Sequence, residues 1–206
     1  MSGHSPTLRG LARLVFWAWL PLAVVLGTSL LATHAATLPV PGERDTRLLG
    51  ELARMRNDDE RGRWMAVHVL YAACRCSRDV VDHLVDDPRP ERLAERILMV
   101  GSTPEIEQRL AGSAIEVIRV QPQELAERYA IEAAPMLLVV DPDGALRYRG
   151  GYSERKQAAQ LHDLEIIGRL RGEGHAAALP LFGCPVSDEL EALLDPLGLR
   201  GGRASS

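Results

Sequence analysis

The chain of 206 residues is 25% charged and 46% hydrophobic, which is the composition of one globular domain with an extra segment and excludes a disordered chain. The formal net charge is −4, and only 4% of the residues are aromatic. A nucleic-acid groove needs clustered Lys and Arg together with rings that stack on bases, so this balance excludes nucleic acid as a partner.

The N-terminal part predicts a membrane anchor. Residues 14–33 carry no formal charge, and one helix of about twenty apolar residues crosses a bilayer. Arg9 and Arg13 precede this stretch, and the next Lys or Arg is Arg44. The positive-inside rule therefore places residues 1–13 in the cytoplasm and the rest in the periplasm or outside the cell. A cleaved signal peptide is the alternative, and it exports the domain as well.

Residues 34–44 form a linker, because Pro39, Pro41 and Gly42 disfavour regular structure. Asp45 then caps an amphipathic helix, and strands and helices alternate after it. The hydrophobic spacing predicts strands at 64–71, 97–100, 115–120, 136–140 and 145–148, and helices at 77–85, 105–110, 122–129 and from Ser153 to about Gly172. This order predicts an α/β sandwich over residues 45–175.

A Cys-x-Cys pair stands where the first strand of this domain meets its helix. Cys74 and Cys76 lie at a helix N-terminus beside Arg75 and Arg78, and positive charge of this kind favours a thiolate. Two such thiols predict redox chemistry. A structural disulfide or two unrelated buried thiols are the alternatives.

The run from Glu127 to Gly144, with Ala133-Ala134-Pro135 before a hairpin strand, resembles the thioredoxin-like superfamily. It is most similar to membrane-anchored periplasmic thiol–disulfide oxidoreductases of the TlpA/ResA type, over about residues 63–152. The resemblance implies a three-layer α/β/α sandwich, protein thiols and disulfides as partners and no cofactor. It also implies a cis bond before Pro135, with Ala134 and Pro135 binding substrate.

The resemblance also implies roles for the cysteines. Cys74 corresponds to the exposed attacking thiol and Cys76 to the resolving thiol, although the spacing is one residue shorter than in the family's Cys-x-x-Cys. A disulfide between them closes a smaller, more strained ring and is easier to reduce. Ala72 and Ala73 stand where the family has a tryptophan, so substrate docking at that position is in doubt.

Residues 176–206 form a C-terminal extension with a third cysteine. Ser187 is expected to cap an extra C-terminal helix, and Cys184 lies between Gly183 and Pro185. An odd cysteine in an exported domain indicates an accessory reactive thiol, an intermolecular partner or a buried spare. The flanking Gly and Pro would fix its backbone, as a positioned resolving or metal-binding thiol requires, and they fit an ordinary turn equally well.

Copper binding is the rival function. Soft thiolates select Cu(I), and Cys74 and Cys76 could bind it together with Cys184 or His83. A third hypothesis is a non-catalytic domain that retains only the fold.

Overall fold

The computed structural model describes residues 6–35, 37–156, 160–172 and 174–195. Positions 1–5 of the predicted cytoplasmic N-terminus and 196–206 of the predicted C-terminal extension lie outside these ranges. The chain divides into two compact units, Met1–Ala36 and Thr37–Ser206. Helix α1 (Pro6–Ala35) makes up the described part of the first unit. Within the described residues, no helix combines the length and apolarity that a membrane crossing requires. The anchor at 14–33 thus stays a prediction.

The second unit alternates strands and helices, as the sequence predicts. Its helices are α2 (Thr46–Met55), α3 (Arg75–Asp86), α4 (Pro104–Leu110), α5 (Pro122–Tyr129), α6 (Asp163–Gly172) and α7 (Asp188–Leu194). Its strands are β1 (Trp64–Tyr71), β2 (Leu93–Val100), β3 (Glu116–Val120), β4 (Ala133–Ala134), β5 (Met136–Val140), β6 (Leu146–Gly150) and β7 (Cys184–Pro185).

The central sheet has five strands in the order β3-β2-β1-β5-β6. Strands β1, β2 and β3 run parallel, whereas β5 and β6 are antiparallel to their neighbours. Strand β2 extends back to Leu93 because Trp64–Val67 of β1 provide it with a partner. This mixed sheet, with helices packed on it, confirms the thioredoxin-like fold that the resemblance implies.

Helices cover both faces of the sheet, as the three-layer prediction requires. One hydrophobic cluster joins the sheet to α2, α5 and α7, and includes Leu48, Leu125 and Leu190. A second cluster joins the opposite face to α3, α4 and α6, and includes Val81, Ile106 and Ile167. The six central residues of β1 are buried, as expected for a strand between two layers.

Local chemistry explains several element boundaries. The Asp45 carboxylate accepts hydrogen bonds from the Arg47 and Leu48 N–H groups and caps α2. The Asp141 carboxylate accepts from the Asp143 and Ala145 N–H groups and closes the β5–β6 turn. Ser187 accepts from the Leu190 N–H group, which confirms the predicted cap of α7.

The last long helix differs from its prediction. It begins at Asp163 rather than after Ser153, whose hydroxyl donates to the Arg155 carbonyl instead of capping a helix. The His162 N–H group donates to the Tyr152 carbonyl, and residues 153–156 and 160–162 are not helical. Positions 157–159 of the predicted helix lie outside the described residues. Helix α6 buries Ile166, Ile167 and Leu170.

Candidate functional site

The turn between β1 and α3 places the first two cysteines. Cys74 occupies the N-cap position of α3, and its N–H group donates to the Tyr71 carbonyl at 2.9 Å. Ser77, at the start of the helix predicted over 77–85, is fully buried, and its hydroxyl accepts from the Tyr71 N–H group at 3.0 Å. The cap position brings the Cys74 sulfur to the positive end of the α3 dipole.

Cys74 forms a disulfide with Cys184, although 110 residues separate them. Their Cα atoms lie 6.1 Å apart, a normal spacing for a disulfide. Cys76 is free and half-buried. The expected Cys74–Cys76 disulfide is therefore not the one that the structure contains. Because successive helical residues turn by about 100°, side chains two positions apart on a helix point away from each other.

The C-terminal extension reaches this turn through a second, two-stranded sheet. Strand β7 pairs antiparallel with β4, so that Cys184 stands opposite Ala134 and Pro185 opposite Ala133. The Val186 N–H group donates to the Glu132 carbonyl at 2.6 Å. The disulfide partner of Cys184 does not follow from the sequence, because neither two-residue strand has a hydrophobic pattern that predicts pairing.

The two residues predicted to bind substrate lie in this sheet and beside it. Ala134 is fully buried under β7, and the Ala134–Pro135 peptide bond is cis, as the resemblance implies. Ala72, at the position where the family has a tryptophan, is also buried. The structure thus brings Cys74, Ala134, Pro135 and Cys184 together.

Two glycines permit close contacts of the extension. A Cβ at Gly183 would lie 2.0 Å from the Ala134 carbonyl oxygen, and one at Gly151 would lie 2.1 Å from the Pro180 carbonyl oxygen. Real Cβ atoms do not approach an oxygen so closely, so both positions require glycine. The extension is therefore fitted to the domain through backbone contacts.

A cavity of about 700 Å³ opens beside this turn. It is lined among others by Cys76, His83, Pro135, Tyr152, His162 and Phe182. The free thiol of Cys76 thus faces a space large enough for a ligand or a segment of another protein.

Charged and polar side chains at and below the wall of this cavity form hydrogen bonds and ion pairs with one another. We call this set the charged network: His68, His83, Arg89, Glu95, Tyr152 and Asp163. The Arg89 guanidinium donates to Glu95 at 2.6 Å and to Asp163 at 2.7 Å. The His83 Nε2 atom lies 2.6 Å from Asp163. His68, fully buried on β1, shares hydrogen bonds with the Tyr152 hydroxyl at 2.8 Å and with Glu95 at 3.3 Å.

The network shifts the protonation of its members. Burial opposes ionisation of Asp163 most strongly, but the hydrogen bond from His83 and the charge of Arg89 hold the pKa of Asp163 well below its usual range. Burial also opposes ionisation of Glu95, whose pKa is nevertheless lowered by hydrogen bonds from His68 and Arg89. The hydrogen bond to Asp163 raises the pKa of His83. The network is therefore a compensated set of buried charges.

The candidate copper ligands are only partly brought together. Cys74 and Cys184 are close, but their sulfur atoms are joined in the disulfide. Both ring nitrogens of His83 are engaged, Nε2 by Asp163 and Nδ1 by Asp87. In the part of the chain that the structure describes, no three His, Cys, Asp or Glu side chains cluster as a metal site.

No protein-family model and no curated protein matches this chain. Among solved structures, a hypothetical protein from Sinorhizobium meliloti 1021 matches 74% of this chain and 91% of its own, at 16% identity and a TM-score of 0.51. An uncharacterized conserved protein from Geobacillus kaustophilus matches 61% of this chain and 77% of its own, at 19% identity and a TM-score of 0.49.

A third match is the thioredoxin domain of a thiol-disulfide oxidoreductase from Bacteroides vulgatus. It covers 55% of this chain and 84% of its own, at 16% identity and a TM-score of 0.34. Of these three, the Sinorhizobium meliloti protein has a TM-score above 0.5, and at 16% identity it shows a shared fold alone. The function therefore has to be argued from the chemistry of the cysteines.

Proposed function

We propose that the protein is a thiol–disulfide oxidoreductase that exchanges disulfides with other proteins through Cys74. The observation that carries this proposal is the Cys74–Cys184 disulfide, formed at a helix N-terminus beside Ala134 and Pro135. A cysteine at such a position is favoured as a thiolate, and the thiolate is the form that attacks a disulfide.

The proposed exchange has two steps. In the first, the Cys74 thiolate attacks one sulfur of a substrate disulfide, forms a mixed disulfide, and releases the other substrate sulfur as a thiolate that takes a proton from water. In the second, a thiolate of the chain attacks the Cys74 sulfur and forms an intramolecular disulfide. The substrate leaves as a dithiol, and two electrons have passed to it.

The Cys74–Cys184 pairing supports Cys184 as the resolving thiol, in place of the expected Cys76. Cys76 then remains a thiol throughout the cycle. The same two steps run in reverse when the chain oxidises a partner, and the direction depends on the reduction potentials of the two couples.

Turnover and trapping test the proposal on the full-length protein. With insulin as the disulfide substrate and dithiothreitol as the reductant, the wild type should accelerate reduction and Cys74→Ser should abolish the acceleration. Cys184→Ser should accumulate a mixed disulfide visible by non-reducing electrophoresis, whereas Cys76→Ser should not.

Two other outcomes would overturn the proposal. Absence of thiol-dependent turnover in the wild type would indicate a domain that retains only the fold. A stoichiometric Cu(I) complex of the reduced protein, with no trapped mixed disulfide in any variant, would indicate a copper carrier, since Cu(I) prefers soft thiolates.

The location of the domain is part of the proposal. The uncharged residues 14–33 and the preceding Arg9 and Arg13 support a single-pass anchor in the cytoplasmic membrane, with the redox domain in the periplasm or outside the cell. That compartment permits disulfides to persist. Reporter proteins fused after Ser206, one active only inside the cell and one only outside, test the orientation. Activity of the inside reporter would contradict it.

A further inference from the structure

The segment that carries Cys184 is buried at both ends and half-buried in the middle. Leu181 and Val186 are each 1% exposed and belong to the hydrophobic core. The residues between them, which we call the 182–185 loop, are all half-buried. The Leu181 carbonyl accepts from the Leu38 N–H group at 2.9 Å on one side of the loop, and Val186 donates to Glu132 on the other. Breaking the disulfide and the two-residue β4–β7 pairing would therefore let the loop lift while its ends remain anchored.

The 182–185 loop covers the chemistry of the site. Cys74 is 1% exposed, and the edge of β4 is paired with β7 along its whole length. An external disulfide reaches a sulfur only where the sulfur is accessible, and an extended substrate segment pairs only with a free strand edge. Both requirements fail while the loop is in place, and both are met once it lifts.

The loop also defines what shape fits this edge. With Cys184 bonded to Cys74, the preceding residue lies directly against the β4 backbone. A Cβ at Gly183 would meet the Ala134 carbonyl oxygen at 2.0 Å, the Ala134 carbonyl carbon at 2.6 Å and the Pro135 Cδ atom at 2.6 Å. These are backbone and ring atoms that have no rotamer to move away, so the site admits glycine before the bonded cysteine and excludes larger residues.

From this geometry we infer that the 182–185 loop is a built-in substrate mimic. It occupies the β4 edge in the oxidised state, and the natural partner is an extended protein segment in which glycine directly precedes the reactive cysteine. The inference rests on the proposed function, because it names the substrate class of the same site and the event that opens it.

The 182–185 loop is released by a two-electron reduction of the Cys74–Cys184 disulfide. A dithiol reductant attacks the Cys74–Cys184 bond, becomes a disulfide itself, and leaves Cys74 and Cys184 as thiols. The loop is then free to exchange with the partner. The Cys74 thiolate attacks the Gly-Cys sulfur of a disulfide in the partner and forms a mixed disulfide with it. The partner's disulfide breaks, and its second sulfur leaves as a thiolate that takes a proton from water.

A peptide pair tests the glycine requirement. In the full-length Cys76→Ser/Cys184→Ser protein, Cys74 is the single cysteine left. This protein is mixed with the peptide Leu-Phe-Gly-Cys-Pro-Val or with the peptide Leu-Phe-Ala-Cys-Pro-Val. In each peptide the cysteine is joined to thionitrobenzoate by a disulfide. The release of thionitrobenzoate should be about tenfold faster or more with the glycine peptide, because the alanine peptide has to overpack the β4 edge. Ellman's reagent alone, which needs no β4 edge, serves as the control.

The outcomes separate the inference from the proposed function. Equal rates with the two peptides, together with a rapid reaction of Ellman's reagent, would overturn the substrate mimic and leave Cys74 exchange intact. No reaction with Ellman's reagent in a protein shown to be folded by circular dichroism would overturn both.

A second variant tests the loop within the wild-type set of cysteines. Gly183→Ala should lower the equilibrium constant for forming the Cys74–Cys184 disulfide against dithiothreitol by about tenfold, because the loop no longer fits its edge. The matched control is Gly168→Ala, since a Cβ at that exposed position in α6 meets nothing within 4 Å. An unchanged constant in Gly183→Ala would overturn the inference.

Discussion

Cys74 and Cys76 have different surroundings, because Cys74 is bonded to the 182–185 loop whereas Cys76 lines the cavity. On the loop side, the 182–185 loop meets β4 through backbone pairing and a glycine contact with the Ala134 carbonyl. On the cavity side, Cys76 faces an open space backed by the charged network. The loop side therefore selects by shape and is covered by a removable segment, whereas the cavity side is fixed by charges that are costly to separate.

The largest effect should come from breaking the charged network at Arg89. Its replacement by Met leaves Glu95 and Asp163 buried without their shared cation, so the free energy of unfolding at pH 7 should fall by about 3–5 kcal/mol. Urea denaturation of the two proteins measures this change in the free energy of unfolding. Arg109→Met is the matched control, because the partly exposed Arg109 pairs with Asp82 and Asp86 at the surface and such pairs contribute about 1 kcal/mol or less.

The pH dependence sharpens this first prediction. The pKa of Glu95 and that of Asp163 are held below their usual ranges in the folded wild type, so their contribution is present above about pH 4 and is lost as the pH falls. The difference in unfolding free energy between wild type and Arg89→Met should therefore keep its pH 7 size down to about pH 4 and narrow as the pH falls below that value. A difference that widens on acidification would contradict the role of Arg89.

Removing the disulfide should have the next largest effect. Cys184→Ser frees a chain segment of 110 residues that the disulfide closes, and the free energy of unfolding should fall by about 2–4 kcal/mol. Cys76→Ser is the matched control and should change it by under about 1 kcal/mol, because Cys76 is half-buried and forms no disulfide. Equal losses in the two variants would contradict the pairing.

A smaller effect should come from filling a close contact beside the loop. In Gly151→Ala the new methyl group meets the Pro180 carbonyl, so thermal unfolding should show a loss of about 1–3 kcal/mol. Gly168→Ala, inside α6, should instead stabilise the protein by up to about 1 kcal/mol, since alanine is the better helix former. A neutral Gly151→Ala would show that the extension is not closely fitted there.

The smallest effect concerns His83. The hydrogen bond to Asp163 and the negative charges of Asp163 and Asp87 raise the pKa of His83, and they outweigh burial and the charge of Arg89, which lower it. A raised pKa contributes stability that is complete below about pH 6.5 and is lost as the pH rises through the folded value. The wild type should therefore lose on the order of 1 kcal/mol across this window, and His83→Gln, which has no imidazole to deprotonate, should lose nothing. Denaturant titrations from pH 6 to 9 would show a parallel decline in both proteins if His83 has no such role.

The sequence predicts the fold well because hydrophobic periodicity and turn residues are local signals. Strand β1, helix α5 and strand β5 have the bounds that their patterns give. The site was predicted only in part. Cys74, Ala134 and Pro135 follow from a motif and a resemblance, but the Cys184 partner depends on a two-residue strand pairing that carries no pattern. Arg89 and Asp163 meet across 74 residues, and a charge in a loop or first helical turn gives no sign of burial.

Mapping the cysteines across a redox titration tests the central claim most directly. The full-length protein is equilibrated in buffers of increasing reducing strength, its free thiols are alkylated, and the linked peptides are identified by mass spectrometry. We predict that Cys74 and Cys184 are linked in the oxidised protein and become alkylated together at one midpoint, while Cys76 is alkylated throughout. A Cys74–Cys76 link, or alkylated Cys184 in a protein whose Cys74 is still oxidised, would contradict the account.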